Sequence, residues 1–198
     1  MFFVFFLYSP RYQIKVEHGT HWLLAFYHNS TGGVFFENHN EAINCDGLQK
    51  YSILSEIDER FKFNNKFEFL LEYPGRAGSN RWVQTLNPLF DQERKGYKAT
   101  GYANIWANWT VNSWGGLVKS LDSDCTLLDG AAGQTPFWWY SIGAICQFYT
   151  PAFPGPGVTV TQVRLWVRIP EKLLITPQRS FIFRSSMFVF LNILTIDQ

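Results

Sequence analysis

Apolar and polar residues alternate in short runs along most of this chain, and glycine, proline and asparagine break the runs at intervals that suit strands rather than helices. Residues 66–73 give the clearest half-buried strand, with Phe67, Phe69, Leu71 and Tyr73 on one face and Lys66, Glu68 and Glu72 on the other, closed by Pro74-Gly75. Residues 163–169 place Val163, Leu165, Val167 and Ile169 inward and Arg164 and Arg168 outward. Val158 and Val160 have the opposite parity, which predicts a bulge or a crossing between sheets near Thr161 and Gln162. Residues 12–16 alternate weakly. Residues 21–27 (HWLLAFY) form an apolar strand closed by the turn Asn29-Ser30-Thr31-Gly32-Gly33, after which residues 34–36 resume. Short strands follow at 81–85, 102–109 and 117–118. Residues 137–145 (FWWYSIGAI) are apolar on both faces and are expected at the centre of a sheet, covered on both sides. One helix is predicted, over 52–60. There Ser52 is placed to cap the first amides, and Ile53, Leu54, Ile57 and Phe61 recur as a buried stripe with Glu56, Asp58 and Glu59 facing solvent.

The two ends differ from this middle. Residues 1–8 (MFFVFFLY) and 181–196 (FIFRSSMFVFLNILTI) are apolar, and neither 1–8 nor 187–196 carries a charge. An exposed strand of that kind invites pairing with another chain, so both ends are expected to be covered, either by each other or by strand addition to a neighbouring copy. The organisation read from the sequence is an N-terminal apolar strand or arm at 1–20, a β domain at 21–170 and a C-terminal apolar arm at 171–198. Residues 1–8 have the length of a signal-peptide core without a basic start, and are read as an uncleaved, ordered strand.

At 198 residues the chain is long enough for one well-filled core. Aromatic residues make 18% of it, which favours a pleated, half-buried surface over helix. Lysine plus arginine (17) nearly balances aspartate plus glutamate (16), so no summed field draws the chain to nucleic acid. No apolar run reaches the roughly 18 residues of a membrane span, because Arg184, Ser185 and Ser186 interrupt the last one.

The three cysteines, Cys45, Cys125 and Cys146, lack the C-x-x-C spacing of a zinc or redox site. A Cys125–Cys146 bond would close a loop of about twenty residues and contribute on the order of 3 kcal/mol. Cys45 would then remain as a free or intermolecular thiol. Two sequons, at Asn29 and Asn108, sit in turn-like surroundings and, with the odd cysteine, favour a secreted setting; both asparagines are expected to be exposed as glycosylation sites, with a glycan on at least one and Asn29 the stronger.

Motifs for chemistry are weak. Glu17-His18-x-x-His21 lies in strand-forming sequence with the glutamate outside the histidine pair, unlike the helical zinc motif, and His28 and His39 read as turn or surface histidines. Asp122, Asp124 and Asp129 lack the alternating spacing of a calcium loop and suit hairpin turns instead. Ser79 has no nucleophile elbow around it. No metal site, cofactor or enzymatic activity is expected. Among the tryptophans, Trp166 shares the outward parity of Arg164 and Arg168; these three are the candidate ligand or interface residues, with packing of Trp166 under an arm favoured over ligand binding.

The segments HWLLAFYHNSTGGVFFENHNEAIN, FEFLLEYPGRAGSNRWVQTLNP and WGGLVKS…LLDG…FWWYSIGA…FPGPGVTVTQVRLWV resemble a tryptophan-rich module of predicted extracellular proteins in protists and simple animals, whose opening is distantly similar to fibrinogen-related domains. The resemblance spans about three quarters of the chain, rests on aromatic and glycine punctuation, and implies a surface or secreted setting. The expectation is an all-β sandwich of jelly-roll type with one short helix. It would act as an extracellular structural subunit whose partners are copies of itself, with a carbohydrate-binding or adhesion module as the alternative.

Overall fold

The computed structural model describes residues 12–76, 78–93, 95–102, 116–120, 125–131, 139–147, 151–155 and 158–174. In chain order they form β1 (Ile14–Glu17), β2 (Thr20–Asn29), α1 (His39–Ile43), β3 (Asn44–Asp46), β4 (Lys50–Ile53), β5 (Phe67–Glu72), β6 (Ser79–Gln84), β7 (Lys98–Tyr102), β8 (Val118–Lys119), β9 (Thr126–Ala131), β10 (Trp139–Ala144), β11 (Ala152–Gly155), β12 (Val158–Val160), β13 (Gln162–Arg168) and α2 (Glu171–Leu174). The protein is an all-β sandwich of two antiparallel sheets with only short helices.

The larger sheet runs β3-β4-β2-β13-β5-β6-β7, with β1 also paired to β2. The turn between β1 and β2 is His18-Gly19, both in the left-handed region (φ 49° and 73°), as a two-residue hairpin with right-handed strand twist requires. Thus β1, inside the stretch read as an N-terminal arm, belongs to the sheet. Leu165 opposes Phe26 across β13 and β2, but Trp166 opposes Leu24, so Ala25 is an extra residue and the register shifts. That bulge switches faces along β2. Phe26 and His28 share the inner face with Leu165, Val167, Phe69, Leu71 and Trp82, whereas Trp22 and Leu24 share the outer face with Trp166 and Leu70.

The smaller sheet runs β12-β11-β10-β9-β8, and β10 is its central strand as expected, with Tyr140 through Ala144 buried. Thr161 is the step between sheets: β12 pairs with β11, and β13, starting at Gln162, joins the larger sheet. The smaller sheet is a sequential meander and β1 to β7 all lie in the other, so the described strands lack the sheet-to-sheet alternation that defines a jelly roll. One core joins the layers. Its rings include Phe67 on Phe69 (6.0 Å), Phe69 on Trp82 (5.5 Å) and Phe26 on Phe36 (5.4 Å). The amide of Gln84 reaches Leu117 beside the smaller sheet, with Nε2 donating to the Leu117 carbonyl and Oε1 accepting the Leu117 N–H, both at 3.0 Å.

The helix expected over 52–60 is not α-helical. Ser52 belongs to β4, and 3-10 turns at Leu54–Glu56 and Glu59–Phe61 replace it. The Ser52 hydroxyl does accept the Leu54 N–H (3.4 Å), but it also donates to the Ile43 carbonyl (3.0 Å), so it ties β4 to the preceding segment. The α-helix lies earlier, at α1, where the Asn38 side chain caps the Glu41 N–H at 3.0 Å. No disulfide joins the cysteines. Ile145 donates its N–H to the Cys125 carbonyl (2.9 Å), so the β9–β10 register sets Ile145, not Cys146, opposite Cys125. Among the described residues no helix is long and apolar enough to cross a membrane. The apolar stretches 1–8 and 181–196 lie outside the described residues.

Candidate functional site

Adjacent antiparallel strands bring outward positions side by side, and on β13, β5 and β6 those positions include several charged and aromatic residues. Leu70 opposes both Trp166 and Arg81, and Glu72 opposes Arg164. Glu68, one turn of the pleat from Leu70, is buried and binds both flanking strands. Arg81 on β6 donates from Nε (2.8 Å) and Nη2 (2.7 Å) to Glu68 Oε1, while Arg168 on β13 donates from Nη1 to Oε2 (2.8 Å). Each guanidinium also lies over a ring, Arg81 over Trp22 at 4.9 Å and Arg168 over Phe63 at 4.0 Å. Such stacking and charge-assisted bonding fix the two side chains.

Next to this triad, Lys15 from β1 forms an ion pair with Glu72 and lies 4.8 Å above the Trp166 ring, and Trp166 Nε1 donates to Glu72 Oε2 at 2.6 Å. Trp166 is therefore buried, at 6% exposure: it shares the outward parity but is packed over, here by Lys15 of β1. Arg164 is exposed and stacks over Tyr27 at 5.5 Å. Of the three residues named from sequence, Arg168 belongs to the triad, Trp166 lies under Lys15, and Arg164 stands apart. Glu68, Arg81, Trp22, Lys15 and Glu72 were missed. Their signal was opposite charge at outward positions of separate strands, legible only once the strand order is known.

A second cluster lies on the inner side. His28 is fully buried, its Nε2 lies 2.9 Å from the Val34 carbonyl, and Phe26, Phe35 and Phe36 surround its ring. Burial holds its proton affinity below the usual imidazole value; the Val34 carbonyl opposes this, Lys50 adds to it and Glu41 opposes it. His28 is thus a core histidine, unlike the turn or surface setting expected. Lys50 pairs with Glu41 at 2.6 Å. Burial and the Glu41 carboxylate push the Cys45 thiol upward, the reverse of what a nucleophile needs.

The remaining candidates are dispersed. Asn29 is half-buried, not fully exposed, and its Oδ1 accepts the Thr31 N–H at 3.0 Å; Asn108 lies outside the described residues. His18 sits in the β1–β2 turn, His21 opposes Val16, and Glu17 lies 3.7 Å from Lys15. Asp129 is in β9 opposite Ser141, whereas Asp122 and Asp124 are outside the described residues. Among the described residues no three histidines, cysteines or carboxylates gather as a metal-ion group. No family model, curated protein or solved structure matches this chain.

Proposed function

We propose that this chain is an extracellular structural subunit that associates with copies of itself through its apolar terminal stretches. One observation carries the reading. The described residues already supply a filled core, from Trp22 and Trp82 to Tyr140 and Ile142, while the sequence holds two further apolar stretches, 1–8 and 187–196, without a charge. Strand addition suits such segments, since backbone bonds give affinity and alternate side chains fill pockets. A donor and an acceptor surface that differ make a head-to-tail contact, which propagates unless it closes into a ring. The alternative is sugar stacking on exposed tryptophans; of the tryptophans whose side chains are described, Trp22, Trp82 and Trp166, none is exposed. Light scattering and electron microscopy of the full chain test the reading, with ordered filaments or rings expected and a loss of assembly when residues 1–10 are deleted. A strictly monomeric full chain, or a deletion that assembles unchanged, refutes it.

A further inference from the structure

Two cations share one carboxylate on the outer face of the larger sheet. Glu68 supplies a single negative charge, with its side chain 7% exposed, and Arg81 and Arg168 supply two positive charges at 34% and 23% exposure. Within the triad one positive charge is left over, in a setting with less water around it than the open surface.

The arginines also have bonding capacity to spare. A guanidinium has five N–H donors in a fixed plane. Arg81 spends Nε and Nη2 on Glu68, and Arg168 spends Nη1, and no further polar partner is present for either among the described residues. Trp22 Nε1, beneath the Arg81 guanidinium, is buried without an acceptor. Glu68 and the rings of Trp22 and Phe63 hold both forks in place before any ligand arrives, so little side-chain freedom is lost on binding.

We infer that Arg81 and Arg168, oriented by Glu68, form a binding site for a tetrahedral oxyanion, a sulfate or phosphate group carried by an anionic partner. The excess charge supplies attraction, and the two planar forks supply geometry that a lysine could not reproduce. This site lies on the sandwich itself and is independent of the terminal stretches invoked for self-association.

Titration calorimetry with sodium sulfate and with sodium phosphate on the full chain, at fixed ionic strength, tests the site, with the arginine Nε–H resonances followed by NMR. Saturable binding of at least one of the two is expected, with Arg168→Lys weakening it about tenfold and Arg164→Gln changing it less than about twofold. Arg81→Lys gives the same reading should Arg168→Lys fail to fold. Tighter sulfate points to a sulfate ester on the partner, and tighter phosphate to a phosphate ester. Absence of saturation in the unaltered protein, or equal binding in the lysine variants, overturns the inference, whatever the assembly assays show.

Discussion

Replacing Gly143 by alanine places a methyl group where the smaller sheet touches α1. The position is buried in the middle of β10 with φ at 78°, and a Cβ there would lie 2.8 Å from both Ala42 Cβ and Leu127 Cβ. Two costs follow. Holding a non-glycine residue in the left-handed region costs about 1–2 kcal/mol. Forcing a methyl group into contact that close requires α1 or β9 to back away by several tenths of an ångström, at about 1–3 kcal/mol for an overpacked core. Together they give a loss of about 2–5 kcal/mol, a large share of the 5–15 kcal/mol typical of a folded domain. Urea unfolding followed by tryptophan fluorescence reads this as a midpoint shift of about 1–2.5 M for a slope near 2 kcal/mol/M. The companion variant Ala42→Gly removes one of the two obstructing carbons and none of the backbone strain. Gly143→Ala should therefore cost about 1 kcal/mol less in that background than alone, as coupling between contacting residues. A Gly143→Ala protein within about 0.5 kcal/mol of the parent, or a double variant without coupling, would show the close approach of α1 to β10 to be misplaced.

Three further outcomes follow from the same geometry. Because burial lowers the proton affinity of His28, the unfolded chain takes up a proton that the folded chain refuses; stability is complete above pH 6.5 and falls as the pH drops below it, by at most about 1.4 kcal/mol per pH unit, and His28→Phe should flatten that slope in midpoint-against-pH measurements. Without reductant, alkylation of the denatured protein should label all three cysteines, while Cys45 in the folded protein should react more slowly at pH 8 than a free thiol; mass spectrometry checks both. Expressed through a secretory pathway, the protein should exceed the 23.0 kDa of its bare polypeptide, and Thr31→Ala, which breaks the Asn29 sequon, should remove one glycan's mass.

Strands whose side chains alternate were legible because one face of each meets the core: β5 and β13 place Phe67, Phe69, Leu71, Val163, Leu165 and Val167 as their spacing requires. The parity change between Val160 and Val163 likewise announced the crossing at Thr161. Residues 52–60 misled because Ile53, Leu54, Ile57 and Phe61 are all buried, as a helical stripe would have them, yet they achieve it through a strand end and two tight turns. Helix α1 went unread although Asn38 and Glu41 carry the cap spacing, since five residues are too few for an apolar period to register. The outer-face triad escaped for another reason: Glu68, Arg81 and Arg168 are far apart in sequence, and only the order β13-β5-β6 makes them neighbours. That Trp166 is packed over was favoured from sequence, but not that Lys15 of β1 crosses its ring, since β1 leaves no mark on the alternation of β13.

The Gln84 side chain has every bonding position filled. Its Oε1 accepts from Trp82 Nε1 (2.8 Å) and Leu117 N–H, and its Nε2 donates to the carbonyls of Leu86 and Leu117 (3.0 Å each). Taken with Leu117, it behaves as a peptide group that has left its own backbone to pair with a neighbour's, a rivet between two plates whose facing surfaces are largely oily. Oily contact resists separation well but sliding poorly, because apolar surfaces that glide past each other stay out of water. A directional pair of bonds resists the slide instead. Were the two layers pulled past one another, this rivet would have to be stripped as they moved.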